Sequence, residues 1–344
     1  MPYWMPSKTE ARFGSLVVRS ALVGCLAVTF LAASSLAAAQ PRPKEFRLGH
    51  LFGGARTPDG LPPGPLREGL RELGYVEGRN VTYEARFAEG KLDRLPGLAA
   101  ELVRAKVDII VAQGGPAAIA AKQATATIPI VIAPASGDAV ATGLIASLAR
   151  PGGNVTGMTD EIVQLSAKRL EMLKEALPKA GLIAVIWNAN DEGMTLRYHG
   201  IEQAARTFRL EVQAIGVREP DDFAAAFSTM TRRRPDAVFL VADAFTTMHR
   251  KRLLEFAAMH RIPAMYEFSL LVRDGGLMSY GPSPEDGFRR AAVYIDRIFR
   301  GAKPADLPAE QPTRYYFTVN LKTATTLGLT IPPSLLLRAD DVIQ

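Results

Sequence analysis

From Phe46 onward, short apolar runs take turns with longer amphipathic stretches, and this alternation restricts the possible folds more than any other feature of the chain. Apolar runs of about four to eight residues read as strands, and a period near 3.6 over about ten or more residues reads as a helix. On that basis 46–52, 81–87, 108–112, 130–133, 182–187, 211–217, 237–241, 264–267 and 277–280 read as strands. The stretches 65–73, 92–105, 139–148, 161–177, 194–208, 221–233, 246–261 and 284–299 read as helices, with one more opened by Gly115-Pro116. Proline suits a first helical turn, where its missing N–H has no helical partner to lose. Strands and helices in strict alternation require a mostly parallel sheet covered on both faces. One closed barrel and two doubly wound sheets both meet that requirement.

The order within the chain favours the second. From Gly69 to Asp108 it runs helix, turn, strand, helix, then an aspartate opening a buried strand, and from Gly200 to Asp236 it does the same. The chain has 344 residues, more than the ~250–300 at which single cores stop growing. Two lobes of similar build are expected.

Ahead of the alternation stands a different kind of segment. Lys8, Arg12 and Arg19 precede an uncharged apolar run over 21–39 that ends in Ala37-Ala38-Ala39. That is the layout of a secretory signal, here spanning 1–39 and cleaved after Ala39. A membrane anchor is the weaker reading, because Ala-Ala-Ser-Ser-Leu-Ala-Ala-Ala is only mildly hydrophobic and a Pro-containing stretch follows from Pro41. Leu22-Val23-Gly24-Cys25 matches a lipoprotein site, a minor alternative since the apolar run continues well beyond it. Either way the chain is exported, and a periplasmic location is expected.

Composition removes several classes of chemistry. Apolar residues make up 48% and charged residues 22%, as in ordinary soluble proteins. A single cysteine excludes a disulfide framework and any zinc site needing two thiolates. None of the four histidines pairs with another at metal-ligand spacing, so no metal is expected. The net charge is +6, and the densest basic cluster, Arg232-Arg233-Arg234, ends a helix without interleaved aromatics, so nucleic acid is not an expected partner. No phosphate loop, H-E-x-x-H, C-x-x-C or G-x-S-x-G is present, and Gly53-Gly54-Ala55-Arg56 after the first strand is not a dinucleotide fingerprint. Neither catalytic residues nor a cofactor are expected, and binding is the better reading.

Ligands of open α/β sheets sit beyond the carboxyl ends of the strands, where helix N-termini offer N–H groups. The residues at those ends are Phe52 and Gly53, Gly114 and Gly115, then Ser136, Gly137 and Asp138. In the second half they are Trp187, Asn188, Asn190, Asp243, Tyr266, Glu267 and Tyr280. Phe52, Trp187, Tyr266 and Tyr280 would meet a planar or apolar group. Asp138, Asp243 or Glu267 would pair with an amine, and Arg56 with a carboxylate. Each also has a plainer role, as a helix cap or a packing residue.

Several longer motifs carry a resemblance. Leu70-Arg71-Glu72-Leu73-Gly74-Tyr75-Val76-Glu77-Gly78-Arg79-Asn80, followed by Arg86-Phe87-Ala88-Glu89-Gly90, is similar to the first signature of the ABC transporter substrate-binding proteins related to binders of tryptophan and other aromatic amino acids. The segments 117–131, 143–157, 275–282 and 320–341 resemble the later signatures. The resemblance implies a type I periplasmic-binding fold, two Rossmann-like lobes with parallel-sheet cores joined by a multi-strand hinge. It implies crossings at 154–158, at 279–282 and after Gln311. Lobe 1 would be 46–157 with 282–310, and lobe 2 would be 158–281 with 311–344. The family often has Thr or Ser where this chain has Gly115, and Asp-Pro where it has Asp138-Ala139, so backbone N–H groups at Gly114, Gly115 and Gly137 would hold a ligand carboxylate here.

The expected function is therefore an exported receptor, monomeric, that captures an amino-acid-like or aromatic solute between two lobes and delivers it to an ABC permease in the inner membrane. A periplasmic sensor that passes ligand occupancy to a signalling partner is the alternative.

Overall fold

The computed structural model describes residues 1–3, 45–134, 137–159 and 162–344. Contacts divide the chain into Met1–Lys44 and Glu45–Gln344, and the fold is that of the second unit. The segment read as a signal, with Cys25 and the cleavage point after Ala39, lies outside the described residues, as does Ser136.

Alternation of side chains sets the layers of the first lobe. Strand β1 (Phe46–Phe52) sends Leu48 to one face and Leu51 to the other. The chain continues through α1 (Gly64–Glu72), β2 (Val81–Phe87), α2 (Leu95–Arg104), β3 (Ile109–Gln113), α3 (Gly115–Ala124), β4 (Ile130–Ala133) and β5 (Val155–Gly157). The five strands form a parallel sheet in the order β2-β1-β3-β4-β5. Leu95, Leu102, Ala117 and Ala121 of α2 and α3 cover one face, and Leu66 and Leu70 of α1 cover the other.

The chain then crosses into a second sheet. It runs through α4 (Ile162–Ala176), β6 (Leu182–Asn188), α5 (Glu192–Thr207), β7 (Glu211–Val217), α6 (Asp222–Arg232) and β8 (Ala237–Leu240). Helices α7 (Ala244–Met248) and α8 (Arg250–Met259), strand β9 (Ala264–Tyr266), α9 (Ser269–Arg273) and β10 (Met278–Gly281) follow. A second crossing places α10 (Pro284–Phe299) on the first sheet, where Phe288, Ala291 and Ile295 join Leu66 and Leu70. Gly69 permits that approach, since a Cβ there would lie 3.0 Å from the Cβ of Ala292. A third crossing leads into β11 (Tyr316–Asn320), α11 (Leu321–Leu327), α12 (Pro333–Leu336) and β12 (Asp341–Ile343). The second sheet has the order β12-β11-β10-β9-β8-β6-β7, and only the β10–β11 pair is antiparallel. First and third crossings lie side by side, joined by Glu310 N–H to Gly157 O and Thr159 N–H to Glu310 O, both 2.9 Å.

The repeated aspartate has the same task in both halves. Asp108, just before β3, accepts the Arg47 N–H at 2.7 Å and so anchors the start of neighbouring β1. Asp236, just before β8, accepts the N–H groups of Gly181 and Leu182 at 2.7 and 2.9 Å and anchors the start of β6.

Two expected helices differ. The stretch 139–148 is a series of turns. Asp138 caps the N–H groups of Val140 and Ala141, but Gly143, at φ +70°, turns the chain before a second helical turn forms. The stretch 246–261 is two helices that meet at His249. Strands β11 and β12 fall outside the alternating runs. β5 has only three residues, too few to show a period.

Candidate functional site

In the first sheet the strand order reverses between β1 and β3, and in the second between β6 and β8. Crevices at such reversals are where doubly wound sheets bind ligands. The chain segments that leave these four strands are 53–56, 114–116, 189–191 and 241–243.

The lobe 1 side is built mainly from backbone. The carbonyls of Phe52, Gly53 and Gly54 accept N–H groups from Ala88, Gly90 and Glu89 at 2.9, 2.8 and 3.0 Å, which fixes the loop after β1 on the loop after β2. Gly114 has φ +88°, open to glycine, and lets α3 begin at Gly115 directly after β3. Gly137, at φ +73°, accepts from the Thr159 hydroxyl at 3.1 Å. Asp138 is occupied as a cap, its Oδ1 accepting from Val140 and Ala141 N–H at 2.9 and 3.0 Å. Arg56 donates its N–H to Glu89. Beneath Phe52, the fully buried His50 lies 3.2 Å through Nε2 from Gln113 Oε1, and burial pushes its pKa down to about 4.

The lobe 2 side is built from charged and amide side chains. Asp243 caps α7, one oxygen accepting from Thr246 N–H and Oγ1–H at 2.8 Å each and the other from Asn188 Nδ2 at 2.7 Å. Asn188 Oδ1 in turn accepts the Asn190 N–H, and exposed Asn190 donates to the Arg218 carbonyl. Asp191 caps α5 through the Met194 N–H at 3.3 Å. Burial first, and then the charge of Asp243, pushes its pKa up to about 6. Glu267, 2% exposed, is held by Arg169 Nη1 at 3.0 Å and Arg197 Nη1 at 2.7 Å, both guanidiniums being buried as well. Arg169 Nε also donates to the Tyr280 carbonyl at 2.6 Å, tying the group to the end of β10.

Two of the expected aromatic residues belong to the core. Trp187 stacks on Tyr198 of α5 at 3.9 Å and 9°, and its indole N–H donates to Thr195. It faces α5 because it shares strand parity with Ile183 and Val185, whose side chains build that layer. Tyr266 lies among Phe256, Leu271 and Val272, and burial pushes its hydroxyl pKa up. Glu267 is not open to an amine either, since two guanidiniums already occupy it. Half-buried Tyr280 stands 6.0 Å from Tyr315 at the hinge. Sequence reading passed over Arg169, Arg197, Asp191 and His50. The two arginines had a signal: Arg197 shares a buried stripe with Met194, Tyr198 and Ile201, and Arg169 adjoins Leu170 and Leu173, where an apolar residue is the norm.

The two sides touch across the crevice. A Cβ on Gly54 would lie 3.3 Å from the Cβ of Ala244, and one on Gly137 would lie 3.6 Å from the Met194 methyl. Gly90 packs on the methyl of Met248. Loops after β1, β2 and β4 thus meet α7 at both of its ends and the N-terminal turn of α5, and the lobes are closed on each other.

The profile of ABC transporter substrate binding proteins matches residues 63–343. The chain belongs to that family. A tyrosine-binding protein of Clostridioides difficile is 26% identical over 261 residues, 76% of this chain and 74% of that protein. The structure of an ABC domain from Streptococcus pneumonia in complex with L-Trp is 25% identical, with a TM-score of 0.81 over 87% of this chain and 100% of that one. A conserved domain protein of Vibrio cholerae shares the fold at 24% identity, with a TM-score of 0.82 over 87% and 100% of the two chains. The architecture is the type I periplasmic-binding fold of two parallel-sheet lobes that the motifs implied.

Proposed function

We propose that the chain is the exported receptor of an ABC importer, closing on a free amino acid and presenting the closed form to a membrane permease. Tyrosine and tryptophan are the first candidates, from the tyrosine-binding relative and the L-Trp complex. The observation that carries this reading is the closed seam at the two strand-order reversals, with backbone on one side and buried polar side chains on the other. N–H groups of Gly114 and Gly115 at the α3 N-terminus suit a carboxylate. Asn188, Asp191 and Asp243 form the polar wall opposite, and Phe52 offers a ring to an apolar group. Lobe 1 comprises 46–157 with 282–310, and lobe 2 comprises 158–281 with 311–344. The packing of α10 on α1 supports that division. No described helix is long and apolar enough to cross a membrane. With a signal ending at Ala39, the receptor would be periplasmic and monomeric, and it would bind its ligand without transforming it.

Calorimetric titration of residues 40–344 with each of the twenty amino acids tests this. We expect one-site saturable binding of tyrosine or tryptophan and a rise in the thermal midpoint, because a ligand that binds only the folded state stabilises it. Absence of both signals across all twenty would overturn the reading.

A further inference from the structure

A cavity of about 470 Å³ opens beside the three crossings, within the size range of small-molecule sites. Its floor is apolar: Pro134 at the end of β4, Met158 in the first crossing, Pro282 in the second, Pro312 in the third, and Phe268 after β9. The first turn of α10 completes the wall. None of Phe52, Gly53, Gly114, Asn188 or Asp243 lines it, so its wall is not the one formed at the strand-order reversals.

The charges at its rim narrow the occupant. Arg290 is engaged with Glu310 in two parallel hydrogen bonds of 2.5 Å. Asp286 accepts the Tyr316 hydroxyl at 2.8 Å and sits in the first turn of α10, where the helix dipole favours an anion. Arg314 lies over the Tyr316 ring at 4.6 Å and has no carboxylate within ion-pair distance among the described residues. An apolar floor with one such guanidinium at its edge matches a small anion on an apolar body.

The cavity's position links it to closure. Hinge closure is absorbed by backbone rotation in a few connecting residues. Here those residues are the cavity wall, joined by parts of both lobes. A ligand that fits the closed shape better than the open one shifts the equilibrium towards closure. We propose that this hinge cavity is an effector site for a small monocarboxylic acid with an apolar or aromatic body, and that its occupant favours the closed form. The closure half rests on the receptor reading above, whereas the existence of the site does not.

The probes are 3-phenylpropionate and its uncharged amide, titrated calorimetrically into residues 40–344 with and without the amino acid that saturates the crevice. We expect one equivalent of the acid to bind, at least tenfold more tightly than the amide. Arg314→Gln should remove that preference, and Thr313→Phe, at an exposed wall position, should abolish binding. Both variants should keep the affinity for the amino acid alone. The acid and the amino acid should each raise the other's affinity by the same factor, at least threefold, as linkage requires. No saturable binding of the acid, an undiminished preference in Arg314→Gln, or displacement of the acid by the amino acid would each overturn the site. Binding with no mutual effect would overturn its role in closure. If no amino acid binds the chain, the receptor reading fails alone, and the Arg314 dependence still decides the site.

Discussion

The two sides of the crevice solve different problems. Lobe 1 presents glycine-rich loops at Gly53, Gly114 and Gly137, held by backbone hydrogen bonds and lying over the neutral, buried His50. Lobe 2 presents Asn188, Asp191 and Asp243 above a buried group of two arginines and one glutamate. Backbone loops can approach a ligand or the other lobe closely, but they carry little charge. Buried ionic groups hold a fixed shape, but only while every partner is present. Lobe 1 therefore supplies contact, and lobe 2 supplies a rigid electrostatic frame.

The most direct way to break this contrast is Glu267→Leu. It leaves Arg169 and Arg197 buried without their shared carboxylate, so we expect a loss of about 3–5 kcal/mol in denaturant unfolding. A lobe 1 change of similar size, Gln113→Leu, removes only one neutral hydrogen bond and should cost about 1–2 kcal/mol.

Proton linkage sharpens the comparison, because the two lobes respond to pH in opposite senses. His50 has its pKa lowered from 6.5 to about 4, so its contribution is present above pH 6.5 and is lost as pH falls towards 4. Asp191 has its pKa raised from 3.8 to about 6, so its contribution is present below pH 3.8 and is lost as pH rises through 6. Each shift corresponds to roughly 3 kcal/mol, and between pH 4 and 6 they largely offset one another. We expect a nearly flat contribution from the pair in the native chain. Unfolding curves should gain a slope falling with pH in His50→Gln and one rising with pH in Asp191→Asn.

Closure itself is tested at Ala244, which faces Gly54 across the seam. In Ala244→Leu the longer side chain is solvated when the lobes part but has no room when they meet. Amino-acid affinity should drop at least tenfold, about 1.4 kcal/mol, with an unchanged unfolding midpoint in the absence of ligand. The smallest effect is expected at Asp138→Ala, which removes a cap on a turn that does not continue as a helix. About 0.5–1 kcal/mol of stability should be lost, with ligand affinity nearly unchanged.

Much of this is legible in the sequence. The four strands β1, β2, β4 and β7 occupy the stretches their apolar patterns indicate, and Gly115-Pro116 opens α3 as the missing proline donor requires. The paired aspartates were visible as a repeat, and their shared task became clear only when Asp108 met Arg47 and Asp236 met Gly181. Other features were hidden for physical reasons. A cap at Asp138 signals a helix start, but Gly143 ends the turn five residues later. Strand parity reports which side chains share a face. It does not say which face meets the ligand, and so Trp187 and Tyr266 were expected at the crevice although both are core.

The alternation of strands and helices from Phe46 onward and the glycines at strand ends were determined by the sequence alone, because each depends on residues within one or two turns of each other. Tertiary structure decided the rest. Glu267 meets Arg169 and Arg197 across 98 and 70 residues of chain, and α10 returns to pack on α1 after the chain has built most of the second sheet. The antiparallel place of β11 and the seam between Gly54 and Ala244 are of the same kind. Local periodicity records that a side chain is to be buried, whereas its partner is chosen by packing between segments that no local pattern connects.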